Sequence, residues 1–277
     1  MLEKILILPH GTQMVVSPID EPSLRLQIAA KKLVEDIDPS IKHWVLLSPH
    51  GISLQSKIAL LLNDVMSGYS GVPTGVDFED EVVHVKVKNW IEFRNKLIEK
   101  NNFSKNPILE AITVFANSID GWLSWGEVIP LHILKQVRAG AKVSVLIMPR
   151  DRVYNFENIK NTLKVLGEWL WELLEETKEK TMLIISGDLA HLHSEDGPYG
   201  YSDDARKLDE ALIKWMKYPT KENLEKSFVY QANGQACGMA GFHVMQEIID
   251  KAKFEPTFYE YQVPTYFGMA LASYSRM

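Results

Sequence analysis

The feature that most constrains the fold of this chain is an alternation of short apolar runs with longer amphipathic segments. Runs rich in Ile, Val and Leu predict strands at residues 5–8, 44–47, 82–87, 112–115, 143–148 and 182–185. Segments of helical period predict helices at residues 22–36, 91–100, 158–178, 203–217, 221–228 and 241–251. This alternation is typical of an α/β fold in which helices cover both faces of a mostly parallel or mixed central sheet.

The composition fits one globular domain. Of 277 residues, 46% are hydrophobic and 24% are charged, which excludes a disordered or collagen-like chain. The Gly-rich stretch at 67–75 predicts a loop, and it lies too close to neighbouring elements to be an interdomain linker. We therefore expect residues 1–277 to form a single domain.

The charge balance and the lack of targeting features limit the partners that we expect. Lys and Arg number 30 against 36 Asp and Glu, and no long basic run is present, which argues against nucleic acid as a partner. No apolar stretch approaches about 18 residues, and the start of the chain lacks the cationic segment of a signal peptide. Cys237 is the single cysteine, so no intrachain disulfide can form. We expect a cytoplasmic protein that does not bind membranes.

Two predicted strands end in the same tripeptide, Pro-His-Gly. It places His10 after the first strand and His50 after the second. Proline ends the strand ladder and glycine permits a sharp turn, so each imidazole projects from a fixed corner at the carboxyl edge of the sheet. One interpretation is turn chemistry, with each histidine hydrogen-bonded to a neighbouring carbonyl. The occurrence of the motif at two equivalent positions favours a shared metal ion.

A third strand end carries a carboxylate and two more histidines, in the segment Ser-Gly-Asp-Leu-Ala-His-Leu-His at 186–193. A helical turn here would put Asp188 and His191 on one face, where the acid orients the imidazole. The alternative is that Asp188 caps a short helix, and we expect His193 to be solvated. Structural or surface roles are expected for His43, His84, His132 and His243.

The segment 120–131 combines two indoles with glycines and acids, among them Trp125 and Glu127. Aromatic walls beside a metal ion suit a flat aromatic ligand. The alternative is that the tryptophans belong to the core or form a lid packed on the sheet.

Taken together, these motifs resemble those of the class III extradiol dioxygenases, the superfamily of the LigB-like catalytic subunit, which also includes the Memo proteins. The resemblance covers nearly the whole chain, and it is specific only in combination. Its motifs are Pro9-His10, Ser48-Pro49-His50-Gly51, the segment 186–191, Gly197-Pro198-Tyr199-Gly200-Tyr201, Cys237-Gly238 and the ending Pro264-Thr265-Tyr266-Phe267-Gly268-Met269-Ala270.

The resemblance implies a metal-dependent dioxygenase that cleaves the ring of a catechol-like aromatic with O2. In ring-cleaving members, two histidines and a glutamate hold non-haem Fe(II). On that pattern His10 and His50 are the imidazole ligands, and His191 is the acid/base that takes a proton from the bound diol and later returns one. Asp188 is expected to be a catalytic residue together with His191. Substrate is expected to contact Trp125, Glu127 and Gln235. Related proteins also imply a homo-oligomer.

The chain departs from the family at the third metal ligand. Where the family has its glutamate, this sequence has Cys237, preceded by Gln235, as in the Memo-like branch. A thiolate favours zinc or copper over Fe(II). A second departure is Trp125, which stands where ring-cleaving members have a histidine, although Glu127 offers a carboxylate nearby.

These departures leave alternatives open. The chain could be a non-catalytic Memo-like protein that keeps the pocket to bind a metal ion or a partner. Cys237 could be a small buried apolar residue, which leaves His10, His50 and His191 as three imidazole ligands. A metal-dependent hydrolase in which His191 activates a water is a third hypothesis.

Overall fold

A computed structural model describes residues 1–71, 82–115, 119–153 and 155–277. Its strands, in chain order, are β1 (Leu2–Leu8), β2 (His43–Ser48), β3 (Ile58–Leu61), β4 (Val65–Ser70), β5 (Val83–Lys88), β6 (Leu109–Ile112), β7 (Gly121–Trp122), β8 (Lys142–Ile147), β9 (Thr181–Ser186), β10 (Phe254–Gln262) and β11 (Met269–Arg276). The helices are α1 (Glu21–Glu35), α2 (Ile91–Asn102), α3 (Trp125–Ile133), α4 (Phe156–Glu176), α5 (Asp203–Lys217), α6 (Lys221–Gly234) and α7 (Met239–Ile249). Within the described residues, no helix combines the length and apolar character needed to cross a bilayer.

The described strands join one mixed sheet around a parallel centre. The central order is β1-β9-β2-β8, with all neighbours parallel. On one side β11 pairs antiparallel with β1, and β10 pairs antiparallel with β11. On the other side β8 pairs in parallel with β5 and antiparallel with β3. The sheet then continues from β5 through β4 to β7, while β6 pairs with β3.

Helices cover both faces of the sheet, as the alternation of side chains along β1 illustrates. Ile5 and Ile7 lie in a core that includes residues of α2, α4, α5, α6 and α7. Leu6 and Leu8 lie in a second core, which includes residues of α1 and α3. All four side chains are buried, as expected for a central strand that is covered on both faces. The α/β fold predicted from the sequence is confirmed.

Most predicted elements agree with the structure to within a few residues, and the differences have physical causes. The strand predicted at 112–115 lies three residues earlier, as β6, and α6 extends beyond the predicted end at residue 228. Residues 67–70 of the predicted loop belong to β4, whereas 72–75 lie outside the described residues. The sequence analysis missed α3 because six consecutive residues of it are buried, so no polar face marks the helical period. It also missed β3, β4, β7, β10 and β11.

Candidate metal centre and its cavity

Three neighbouring strands end at one edge of the sheet and bring their exit turns together. β1 and β2 both pair in parallel with β9, so the carboxyl ends of all three strands point the same way. The turns that follow carry His10, His50 and Asp188. The topology therefore gathers the three chemical groups that the sequence places at strand exits.

The ring of His10 is fixed by Ser186 in one tautomer. Nδ1 of His10 lies 2.9 Å from the Ser186 hydroxyl. That hydroxyl donates its only proton to the Gly126 carbonyl at 2.6 Å, so it must accept a hydrogen bond from the Nδ1–H of His10. In the neutral ring Nε2 then carries a free lone pair. This arrangement is the one found behind metal-binding histidines, whose second nitrogen is hydrogen-bonded.

Three ligand-type atoms face this lone pair of His10. Nε2 of His50 and Oδ2 of Asp188 each lie 3.0 Å from Nε2 of His10, and the sulfur of Cys237 lies 3.5 Å from it. The donor atoms of His10, His50 and Cys237 all lie within 4.8 Å of one another, as do those of Asp188, His191 and Cys237. Lone pairs at such distances repel unless a proton or a cation lies between them.

Both strand-exit imidazoles are held in the neutral form. Burial is the main cause that lowers the pKa of His10 well below its ordinary value and the pKa of His50 to about 3. The guanidinium of Arg152 and the ring of His191 lower both pKa values further. Neutral imidazole is the form that binds metal ions.

The separations of these atoms fit a bound transition-metal ion. With metal–nitrogen and metal–oxygen bonds of about 2.1 Å, neighbouring ligand atoms lie about 3.0 Å apart at right angles and about 3.4 Å apart at the tetrahedral angle. The two separations of 3.0 Å and the sulfur separation of 3.5 Å lie close to these values. Imidazole, carboxylate and thiolate are all ligands of such ions. The residues present can therefore hold one.

Cys237 reaches the centre from the loop between α6 and α7. That loop packs tightly on the turn after β9, since a Cβ added to Gly187 would lie 2.5 Å from the Cα of Gly238. The sulfur accepts a hydrogen bond from the backbone N–H of Asp188 at 3.2 Å. Burial raises the pKa of the thiol, so the thiol keeps its proton unless a cation displaces it.

Asp188 is almost completely buried and is held by the backbone of His10. Its Oδ1 accepts a hydrogen bond from the His10 N–H at 3.0 Å. Burial raises the pKa of this carboxyl to about 8. Its other oxygen, Oδ2, faces Nε2 of His10.

The turn after β9 differs from the expectation drawn from its spacing. Residues 188–191 are not helical. The Leu189 N–H donates to the Gly268 carbonyl and the His191 N–H to the Gly234 carbonyl, both at 2.8 Å. These long-range bonds replace the helical turn that the spacing suggested. The carboxylate therefore neither caps a helix nor orients the His191 ring.

His191 presents one basic nitrogen to the site. Its Nδ1 lies 2.9 Å from the Leu189 carbonyl, which can only accept, so Nδ1 carries the proton and Nε2 is free in the neutral ring. The ring stacks on Phe267 with 5.4 Å between centroids and meets the edge of Tyr199 at 5.8 Å. Burial lowers the pKa of His191 to about 4. Nε2 is therefore unprotonated at neutral pH.

A cavity of about 590 Å³ adjoins these groups. Part of its wall is formed by His10, His50, Asp188 and His191. The rest is rich in aromatic side chains, namely Tyr69, Trp122, Trp125, Tyr199, Tyr266 and Phe267. Polar groups come from Thr12, Gln13, Ser70, Ser124 and Thr265. No lysine or arginine of the described residues lines the cavity, which therefore suits a flat aromatic molecule.

Of the three residues expected to contact substrate, the structure brings Trp125 to the cavity. Its indole is 47% exposed, and its ring centroid lies 4.6 Å from that of His50. Glu127 is buried instead, and its Oε2 accepts a hydrogen bond from the Ser124 N–H at 2.6 Å, at the start of α3. Gln235 follows the last residue of α6 with a left-handed φ of 55°. Neither Glu127 nor Gln235 belongs to the cavity wall formed by described residues.

The structure also corrects the expectation for His193 and adds two residues that the sequence analysis did not assign. His193 is not solvated: its Nε2 lies 2.8 Å from Asp209, a buried carboxylate that also accepts from the Tyr261 hydroxyl at 2.7 Å. Ser186 and Arg152 act on the imidazoles as described above. Ser186 is the last residue of β9, and Arg152 lies five residues after the end of β8, so position at or near a strand exit was the available signal.

Comparison with known proteins shows a shared fold. No family model matches the chain. Protein CA_C1420 of Clostridium acetobutylicum is 26% identical over 226 residues, which cover 79% of this chain and 45% of that protein. The chain thus spans less than half the length of that relative. The crystal structure of an uncharacterized protein, JW3007 from Escherichia coli K12, matches with a TM-score of 0.58 and 13% identity, over 98% of this chain and 99% of that one. At this identity the likeness shows the fold alone.

Proposed function

We propose that this chain is a metal-dependent oxidoreductase of the extradiol type, which uses Fe(II) and O2 to cleave the ring of a catechol-like aromatic. The observation that carries the proposal is the convergence of ligand-type atoms on Nε2 of His10, in the wall of a cavity lined by aromatic side chains. The motifs that resemble those of the class III extradiol dioxygenases support it.

The roles of the residues follow from their contacts. His10 and His50 hold the metal ion, with Cys237 as the third ligand that the resemblance implies. A bound non-haem Fe(II) supplies the redox chemistry with O2. Aromatic walls such as Trp125 confine a flat ring against the centre and exclude water from it. Nε2 of His191 accepts a proton from a substrate hydroxyl, because its Nδ1–H is held by a carbonyl.

A second candidate function is favoured by the contact between Cys237 and His10. A thiol sulfur 3.5 Å from the ligating nitrogen is the donor that zinc or copper prefers. On this candidate the chain is a Memo-like metal-binding or partner-binding protein that retains the cavity without ring-cleavage activity. The metal that copurifies with the protein distinguishes the two: stoichiometric iron supports the dioxygenase, whereas copper or zinc supports the metal-binding protein.

Activity with iron tests the dioxygenase proposal directly. Protein reconstituted anaerobically with Fe(II) receives O2 and a panel of catechols, and the absorbance of the yellow ring-opened product is followed. We expect product with the wild-type protein and none with His10→Ala. A matched control is His43→Ala, which removes a histidine from the opposite end of β2 and should leave activity unchanged. Bound iron without product for any catechol would contradict the proposal.

The location and assembly of the chain stay predictions from the sequence. We propose a cytoplasmic protein that forms a homo-oligomer. Sedimentation of the purified protein tests the assembly, and a monomer at micromolar concentration contradicts it.

A further inference from the structure

The proposed function leaves the buried carboxylate of Asp209 without a role. Asp209 lies on α5 and is fully buried. Its Oδ1 accepts a hydrogen bond from the Ala190 N–H at 2.8 Å, while its Oδ2 accepts from the Tyr261 hydroxyl at 2.7 Å and lies 2.8 Å from Nε2 of His193. This side chain therefore joins α5 to the turn after β9 and to β10. Asp209 does not belong to the cavity wall formed by described residues.

The carboxylate packs where two segments of the cavity wall run side by side. The Gly268 N–H donates to the Ala190 carbonyl at 2.9 Å. The His193 N–H donates to the Tyr266 carbonyl at 3.1 Å. A Cβ at Gly268 would overlap Oδ2 of Asp209, so the carboxylate lies directly against this backbone. The turn after β9 and the connection between β10 and β11 thus meet at Asp209.

His191 lies between the two residues of the turn that Asp209 contacts. The Ala190 N–H precedes it in the chain, and the His193 ring follows it. Its own ring stacks on Phe267, which belongs to the connection between β10 and β11. The direction of Nε2 of His191 therefore depends on two segments whose relative position Asp209 sets.

An acid/base group is sensitive to small changes of position. It must lie within about 2.6–3.2 Å of the atom with which it exchanges a proton. A misplacement of about 1 Å can slow an enzyme by about 100-fold, even when the mutation that causes it lies far from the reacting atoms. A shift of the His191 ring is therefore enough to impair proton transfer.

We infer that Asp209 is a positioning residue that fixes the ring of His191 at the wall of the cavity. The inference rests on the proposed role of His191 as the acid/base. The alternative is a role in stability alone, and the two roles differ in their effect on folded molecules. Loss of a purely stabilising contact leaves the His191 ring of the folded protein unchanged, whereas loss of a positioning contact releases it.

Two variants of Asp209 and a matched control test the inference. Asp209→Ala removes all the contacts of the carboxylate, whereas Asp209→Asn keeps an oxygen that accepts from the Ala190 N–H. Gln246→Ala is the control, since Gln246 is also buried, accepts from the Trp215 indole N–H at 2.6 Å and lies outside the cavity wall formed by described residues. Circular dichroism verifies that each variant is folded at the temperature of measurement. If Asp209→Ala does not fold, Asp209→Asn takes its place in every comparison.

Nitrogen NMR of isotope-labelled histidine rings gives a readout that needs neither metal nor activity. In the metal-free wild type we expect one set of His191 ring signals with the proton on Nδ1, because the Leu189 carbonyl holds that nitrogen. Their absence from the spectrum of His191→Phe assigns them. Asp209→Ala should shift and broaden these signals, and Asp209→Asn should change them less. Gln246→Ala should leave them as in the wild type.

Ring cleavage by the Fe(II)-loaded proteins gives the second readout. We expect Asp209→Ala to bind as much iron as the wild type and to lower kcat at least about 10-fold, which is part of the roughly 10²–10⁴-fold that an acid/base group contributes. Asp209→Asn should lie between the two, and Gln246→Ala should keep the kcat of the wild type.

The outcomes separate this inference from the proposed function. Folded Asp209→Ala with the His191 signals of the wild type overturns the inference and leaves the proposed function intact. The same holds for a kcat that falls equally in Asp209→Ala and Gln246→Ala, since the effect is then one of stability. Wild-type protein that binds iron and cleaves no catechol contradicts the proposed function, and the NMR comparison then decides by itself whether Asp209 positions His191.

Discussion

Replacement of Ser186 by alanine tests the hydrogen bond that fixes His10. The hydroxyl bridges two buried groups, the Nδ1–H of His10 and the Gly126 carbonyl. Leaving a buried polar group unsatisfied costs about 1–3 kcal/mol, so two such groups put the expected loss in the free energy of unfolding at roughly 2–6 kcal/mol. The imidazole also loses the partner that keeps Nε2 unprotonated, and removal of such a partner weakens metal binding by about 10–100-fold.

The assays are urea denaturation of the metal-free protein and titration with Co(II). Ser144→Ala is a matched control, since this serine is also buried in the parallel centre of the sheet, in β8, and donates one bond, to the Trp90 carbonyl at 3.2 Å. We expect the control to lose about 1–3 kcal/mol of stability and no metal affinity. The reasoning is refuted if Ser186→Ala binds Co(II) as tightly as the wild type and is no less stable than the control.

Three further predictions concern other parts of the site. Trp125→Ala should retain the metal ion, since the half-exposed indole only forms part of the cavity wall. It should weaken the binding of a catechol, measured by calorimetry, by about 0.5–1.5 kcal/mol in addition to the free energy lost with the buried apolar area. Equal catechol affinities of the variant and the wild type would contradict this. Asp209→Ala should lower the free energy of unfolding by at least about 1–3 kcal/mol, because it leaves the buried Ala190 N–H without its acceptor and also removes the partner of His193, and a loss below about 1 kcal/mol would count against these contacts. Burial raises the pKa of Glu127 to about 7 from 4.5, so the native state keeps a proton that the unfolded state releases, and the contribution of Glu127 to the free energy of unfolding should fall by about 3 kcal/mol as the pH rises from 4.5 to 7. The difference in the free energy of unfolding between Glu127→Gln and the wild type should therefore change by about 3 kcal/mol between pH 4.5 and pH 7, and a difference that does not depend on pH would show that Glu127 does not titrate in this way.

The positions of His10 and His50 were predictable from the sequence because they follow from local rules. Apolar runs mark the strands, a Pro-His-Gly turn marks each exit, and neighbouring parallel strands end at the same edge of the sheet. The same rules placed Asp188 and His191 at this edge. None of these steps requires knowledge of a contact between distant segments.

The contacts of Asp188 could not be predicted, because they depend on distant segments. Its spacing to His191 suggested a helical turn, yet backbone bonds to Gly234 and Gly268 hold the segment in another conformation. Both partners lie more than 40 residues away in the chain. Phe267, which stacks on His191, likewise enters from the connection between β10 and β11, two strands that the sequence pattern did not reveal.

Anomalous diffraction from crystals loaded anaerobically with Fe(II) tests the central claim most directly. The account predicts one iron peak about 2.1 Å from Nε2 of both His10 and His50, beside the aromatic-lined cavity. Iron bound elsewhere, or the two imidazoles turned apart with no ion between them, would contradict it.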